Sequence, residues 1–230
     1  MVKKVPTGVG FLDALLDGGY EDDAITTVYG PAGVGKTNLA LLAAVQAAND
    51  DKKVIYIDTE GGFSVTRLKQ LVSNPKKVLN NIIFLNPVTF EEQKRAFDKL
   101  AELLTKKVAL VIVDTISMLY RLERKQGEEF FDFNRELAAQ IARLTEITRR
   151  QKVPVLMTNQ VYTSFKDGTK MVGGDILTYG SKCLIELSPR GANKRLTLKK
   201  HRSLPTGTSV LFRIVQSGIE EVDYSGVNSS

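Results

Sequence analysis

Along the chain, apolar and β-branched residues gather into short unbroken runs at Ile25–Tyr29, Val54–Asp58, Ile82–Leu85, Leu110–Asp114 and Val153–Thr158. Continuous rather than alternating hydrophobicity is the pattern of strands covered on both faces, and it predicts parallel core strands. Between the runs the period lengthens to that of helices, at Asn38–Ala48 after a glycine-rich turn, at Phe90–Lys106 and at Phe130–Gln151. In the second helix Phe97, Leu100, Ala101 and Leu104 share a face, and Thr89 with Glu92 forms a capping box; in the third, Leu137, Ile141 and Leu144 line up in the same way. Strands alternating with such helices give a parallel sheet with right-handed crossovers. Near the end, Cys183–Leu187, Lys194–Lys200 and Val210–Val215 are separated by the turn-rich segments SPRGAN and RSLPTG, which predicts antiparallel strands completing the sheet. The expected architecture is a single α/β domain over residues 1–230, a mostly parallel sheet flanked by helices, with a lead-in over 1–23 and a small polar tail over 225–230.

Composition narrows the chemistry. The chain has 230 residues, 43% hydrophobic and 25% charged, an ordinary globular balance. A domain of this size buries roughly 70–75% of its unfolded surface and needs no staple. Its one cysteine, Cys183, and one histidine, His201, exclude an intrachain disulfide and a Cys/His zinc site. Within CLIEL, Cys183 reads as a small buried hydrophobe. Polar residues and glycines break the apolar character of the N-terminus, so no signal peptide is expected, and no run is long enough to span a membrane; a cytoplasmic protein is expected. The formal charge of +6 favours polyanions by steering and permits nucleic acid without identifying it.

The strongest chemical signal follows the first apolar run. GPAGVGKT, residues Gly30 to Thr37, stands between a strand and a helix, the setting of a phosphate-binding loop. Gly30, Gly33 and Gly35, with Pro31, Ala32 and Val34 between them, let backbone N–H groups turn around a phosphate. Asn38 continues the helix whose N-terminus adds a favourable dipole. Lys36 is expected to reach the terminal phosphates of ATP, and Thr37 to offer its hydroxyl to Mg²⁺. Asp114 ends the buried run ALVIVD, where it could hold the metal through water or cap a helix beginning at Thr115. Glu60, just past VIYID, lies at the carboxyl edge of the sheet and could polarise a water, with Asp58 as competitor. VLMTNQ places Asn159 and Gln160 at the same edge, as γ-phosphate sensors or as turn residues.

The segments GPAGVGKT, IDTEGGF, LVIVDT and LMTNQV stand in the order and rough spacing of the RecA/RadA recombinase core, and the chain resembles that family over nearly its whole length. TGVGFLDALLDGGY looks like the segment leading into that core, and GGDILTYGSKCLIEL with KHRSLPTGTSVLFRI looks like its C-terminal part. Within the family the resemblance is greatest to RadB, the short archaeal RadA paralogues. It implies a RecA-like P-loop NTPase core in which Lys36 and Thr37 bind phosphate and Mg²⁺, Asp114 supports the metal, Glu60 activates water and Gln160 couples the γ-phosphate to a DNA-binding loop. It also puts Arg67 on the adenine face, where a guanidinium can stack, although an exposed arginine can equally be solvated.

The family's DNA-facing loops correspond to 121–129, with Arg121, Arg124 and Lys125, and to 162–175, with Phe165, Lys166 and Lys170. Cations for phosphates and an aromatic for a base suit a single strand. Glu123, Glu128 and Glu129 dilute the first loop. Lys199, Lys200 and Arg202 stand where related ATPases present cations to a neighbour's nucleotide, and a charged hairpin edge explains them as well. Only a short segment precedes Ile25, with no room for the family's N-terminal helix-hairpin-helix domain or its subunit-joining linker, and the second loop looks shortened. The expectation is an ATP- and DNA-binding recombination accessory with slow Mg²⁺-dependent hydrolysis and little strand exchange alone. The resemblance implies the main recombinase RadA and the Holliday-junction resolvase as partners, and homo-oligomerisation remains open. The competing expectations are a DNA-stimulated filament-forming recombinase and a clock-type or signalling ATPase with no nucleic acid ligand.

Overall fold

The computed structural model describes residues 2–124, 130–164 and 168–223. The lead-in folds as β1 (Lys4–Val5), α1 (Gly10–Leu15) and β2 (Tyr20–Glu21), with β1 and β2 paired. There follow β3 (Ile25–Gly30), α2 (Lys36–Asn49), β4 (Lys53–Asp58), α3 (Val65–Leu71), α4 (Pro75–Asn80), β5 (Ile82–Leu85), α5 (Phe90–Leu103) and β6 (Val108–Asp114). The second half holds α6 (Met118–Arg124), α7 (Phe130–Gln151), β7 (Val155–Ser164), β8 (Gly168–Met171), α8 (Gly174–Gly180), β9 (Cys183–Arg190), β10 (Asn193–Lys200), β11 (Ser209–Val215) and β12 (Gly218–Glu221). The main sheet runs β12-β11-β10-β9-β3-β7-β6-β4-β5, with β8 attached to β7. β5, β4, β6, β7, β3 and β9 are parallel, and β9 to β12 antiparallel. The expected sheet is therefore present, with its antiparallel strands at the C-terminal end.

Helices cover both faces. On one side α2 buries Leu39, Ala40, Ala43 and Ala44 against Val54, Tyr56, Leu110 and Ile112. On the other, α5 and α7 bury Phe97, Leu100, Leu137, Ile141 and Leu144 against Ile55, Ile57, Val111 and Val113. The two layers explain the unbroken hydrophobic runs, since alternate residues of one strand feed different cores.

Several local expectations change. The buried face of α5 is Phe90, Gln93, Ala96, Phe97 and Leu100; Ala101 is exposed and Leu104 lies beyond the helix as its C-cap. Thr89 Oγ1 accepts from Glu92 N at 3.1 Å, but the returning bond goes from Val88 N to Glu92 Oε2 at 2.9 Å, one residue before the cap. No helix starts at Thr115; α6 begins at Met118. Arg121 and Arg124 consequently sit on a helix rather than in a loop. β7 runs on to Ser164 because β8 pairs with its outer half, Val161 opposite Met171. Of residues 162–175, the outer half of β7 and β8 pair as two antiparallel strands, with Lys170 on β8, and Gly174 and Asp175 open α8. Lys125, Phe165 and Lys166 lie outside the described residues.

The corrected α5 face is testable by urea unfolding. Leu100→Ala, at a fully buried position, should cost about 2–5 kcal/mol. Ala101→Lys should change stability by less than about 0.5 kcal/mol.

Candidate functional site

The loop after β3 depends on two glycines for different reasons. A Cβ at Gly30 would run into the carbonyl oxygen of Leu187 on the neighbouring β9. Gly35 has φ +103°, and its Cβ would sit 2.9 Å from Ile214 Cδ1. Gly35 is also the N-cap of α2, and no side chain caps that end, so the first N–H groups of the helix remain for an anion. Lys36 is 8% exposed. Its ammonium donates to Gly30 O at 2.9 Å and to Pro31 O at 2.8 Å, folded back over the loop. Burial pulls its pKa below the ordinary lysine value, opposed by the charges of Glu60 and Asp114. Loop residues Ala32, Gly33 and Gly35 to Asn38 line a cavity of about 220 Å³, closed across the top by Glu60, Thr115 and Gln160.

Two acids meet below. Asp58 and Asp114 are register partners at the ends of β4 and β6, and both are buried. Asp58 Oδ1 accepts from Glu60 N at 3.2 Å and Gly62 N at 3.0 Å, and its Oδ2 from Phe63 N at 3.0 Å. Its carboxylate is therefore committed to shaping the TEGGF turn that presents Glu60. Asp114 accepts hydrogen bonds from Thr158 Oγ1, from Tyr56 OH at 2.9 Å and from the Thr37 hydroxyl. Burial raises its pKa above the usual carboxylate value; those hydrogen bonds oppose the rise and nearby Asp58 adds to it.

The donor set suits Mg²⁺. A hydroxyl and a buried acid adjoin the phosphate loop, and among the described residues no group of three or more His, Cys, Asp or Glu could hold a metal on its own. Such an ion would draw most of its octahedral shell from water and substrate phosphate, as Mg²⁺ does.

Above the loop, Glu60 Oε1 accepts from Thr115 Oγ1 at 3.0 Å and from Gln160 Nε2 at 2.7 Å. Gln160 Oε1 accepts in turn from Arg121 at 3.3 Å. Asn159 turns elsewhere: fully buried, it donates to Val172 O at 2.9 Å and fastens β7 to the segment before α8. Of the two amides, only Gln160 lines the cavity.

The family model of Rad51 matches residues 1–222. The chain belongs to the Rad51 family. It is 42% identical over 216 residues to the DNA repair and recombination protein RadB of Methanococcus maripaludis strain C7, covering 93% of this chain and 99% of that protein. It is 43% identical over 227 residues to the RadB of Methanobrevibacter smithii, covering 94% and 95%. The crystal structure of a RadB recombinase superimposes with a TM-score of 0.80 at 36% identity, covering 95% of this chain and all of that one.

Other positions singled out by the Rad51-family resemblance are held differently from expectation. Arg67 is not a solvated helix residue: its donors go to Asn38 Oδ1 at 2.8 Å, Gln70 Oε1 at 2.8 Å, Gln216 O at 2.9 Å, Val215 O at 2.8 Å and Gly218 O at 3.1 Å. It clamps α3 to the β11–β12 turn. Arg202 pairs with Glu21 at 2.8 Å and Asp23 at 2.5 Å. Lys200 caps the end of α8, donating to Thr178 O at 2.6 Å and Ser181 O at 2.8 Å. Lys199 faces Glu186 at 3.5 Å. The intrachain explanation of these three cations thus has observed partners. Glu123 accepts from Phe90 N at 2.9 Å, tying α6 to the start of α5. Sequence reasoning missed Tyr56, Thr115 and Thr158; the available signal was position, each lying within two residues of a strand-end residue already singled out.

A carboxyl group whose pKa is raised on folding binds more protons when folded than when unfolded. Stability therefore falls as pH rises from the unfolded value near 3.8 through the raised folded value. Asp114→Asn should remove that decline, so that thermal unfolding followed from mildly acid to neutral pH shows this loss of Tm in the native protein and not in the variant. Mg²⁺-dependent nucleotide binding should weaken in the same variant, measured by calorimetry.

Proposed function

We propose that the chain binds ATP with Mg²⁺, hydrolyses it slowly, and uses the nucleotide state to control its hold on single-stranded DNA as an accessory in recombination and repair. The observation that carries this is the connection of Glu60 to Gln160 and of Gln160 to Arg121 directly above the phosphate loop. The repair role follows the description shared by the RadB relatives.

On this reading Lys36 exchanges the Gly30 and Pro31 carbonyls for the terminal phosphate, and the N–H groups opening α2 hold the others. Thr37 and Asp114 hold the metal, Asp114 through water. Bound there, Mg²⁺ would neutralise phosphate charge and polarise the γ-phosphoryl group. Glu60 accepts a proton from the attacking water. Its Oε1 receives two hydrogen bonds, from Thr115 and Gln160, so a water must take the place of one of them. Gln160 can turn its amide from Glu60 toward a γ-phosphate, and doing so releases Arg121 for a DNA phosphate. Arg124, Lys125, Phe165, Lys166 and Lys170 complete the proposed single-strand contacts, and Arg67 offers its face to adenine. RadA and the Holliday-junction resolvase are the partners implied by resemblance.

The test is single-strand affinity with ADP, ATP and a slowly hydrolysed ATP analogue, measured beside turnover. The analogue should tighten DNA binding in the native protein and have no effect in Lys36→Ala. Glu60→Gln should lower turnover by about 10²-fold or more while keeping the analogue's effect on DNA. Gln160→Ala should keep nucleotide affinity and lose that effect. Equal DNA affinity in every nucleotide state would dispose of the coupling. Strong DNA stimulation of turnover with filaments under the electron microscope would replace it with a self-sufficient recombinase.

A further inference from the structure

The edge of the sheet opposite the phosphate loop collects positive charge. α2, α5 and α7 all end there, and β4, β6 and β7, adjacent in the sheet, begin there. The connecting turns and the strand β1 form a cup of about 370 Å³ lined by Lys3, Lys52, Lys106 and Lys152, with Asp22 as its one carboxylate among the described residues. Lys152 is 3.6 Å from Asp23 and its side chain is 59% exposed. Lys3, Lys52 and Lys106 are exposed, and among the described residues their amines have no ion pair or hydrogen bond.

Helix C-termini attract cations for structural reasons alone. That explanation fits other lysines of this edge. Lys53 donates to Asn80 O at 2.6 Å, and Lys77 to Asn49 O at 3.1 Å while pairing with Asp51 at 3.0 Å. Among the described residues, Lys3, Lys52 and Lys106 make no such bonds, and Lys152 has only its longer pairing with Asp23.

The composition of the cup selects among polyanions. Among the described residues that line it there is no aromatic side chain on which a single-strand base could stack, and no arginine to grip a carboxylate with two parallel bonds. Flexible ammonium groups acting as point charges suit the phosphates of a duplex backbone, where affinity comes from counterion release and not from shape.

We propose that this cup is a second polyanion site, which binds the phosphate backbone of double-stranded DNA without regard to nucleotide state, at the end of the sheet opposite the ATP site. The inference rests on the reading of the chain as a DNA-repair protein. It adds that the molecule engages a single strand at one end and a duplex at the other, the arrangement needed to sit at a junction between them.

The experiment is anisotropy with a short blunt duplex and no nucleotide, over about 50–200 mM salt. It compares the full chain with Lys52→Glu/Lys106→Glu and with a charge-matched control, Lys69→Glu/Lys99→Glu, on exposed positions of α3 and α5. The cup variant should lose about tenfold or more in affinity at low salt, and its log–log salt slope should become shallower by about two. The control should keep the native slope. Equal losses in both variants would mean that net charge alone acts, and no loss in either would mean that the duplex binds elsewhere; each overturns the proposal. A polyglutamate peptide that binds the native cup while duplex affinity is indifferent to the lysines would make the occupant an acidic protein, which also overturns it. Analogue-dependent single-strand affinity, measured on the same proteins, should persist in the cup variant. Its absence from the native protein would sink the proposed function and leave the duplex result to be judged separately.

Discussion

Asp114 is 2% exposed at the end of β6, an interior strand of the sheet. An ionised carboxylate in that position carries a desolvation cost of about several kcal/mol, which only surrounding donors or a cation can offset. The neighbouring elements supply the donors: Tyr56 from β4, Thr158 from β7 and Thr37 from α2. Each must stay in register with β6 for its bond to survive, so the acid proposed to face the metal also fixes how those elements meet. Asp58 beside it adds like charge. The site is thus destabilised locally, and the large apolar layers on both faces of the sheet carry that cost.

The same strand ends fix what lies above. Asp58 holds the TEGGF turn through three backbone N–H groups, and that turn presents Glu60 to Gln160. Gln160 continues a strand hydrogen-bonded to β3, with Gly30 opposite it. A rigid β-sheet therefore delivers both the phosphate loop and the amide above it. The soft parts are the side-chain torsions of Glu60, Gln160 and Arg121, which lie at the exposed end of the network. Such a division favours a switch: small rotations redistribute hydrogen bonds while the backbone stays in place, and a ligand shifts the balance by its difference in affinity for the two arrangements.

What could be read from the sequence followed from burial. Strands sandwiched between two layers announce themselves as apolar runs, and α2, α5 and α7 are long enough for their period to appear. The short helices α3, α4, α6 and α8 are stabilised by tertiary packing, so they leave little periodic trace. β8 exists because it pairs with the far half of β7, a non-local event that no single window records. Arg67 illustrates the same limit at one residue. Its helix position suggested solvent or a base, but its partners in the β11–β12 turn lie 148 to 151 residues away. The phosphate loop was legible because its chemistry needs consecutive residues. The proton and hydrogen-bond partners Tyr56, Thr115 and Thr158 were not, because each comes from a different strand end and acquires its meaning only when the strands align.

The two ends of the sheet differ for a reason built into α/β topology. A helix joining two parallel strands runs back antiparallel to them, which places its N-terminus at their carboxyl edge and its C-terminus at the opposite edge. The first edge gathers partial positive charge, so that on the proposed reading Lys36 beside the open end of α2 is cation enough for phosphate. The second gathers partial negative charge, so lysines accumulate there on electrostatic grounds, and Lys53 and Lys77 do what that field asks of them. A lysine cluster that exceeds the available carbonyls is then a surplus that the fold does not require. Charge beyond structural need on an edge remote from the nucleotide is the kind of feature that a polyanionic partner exploits, because its attraction adds to the molecule without disturbing the sheet between the two ends.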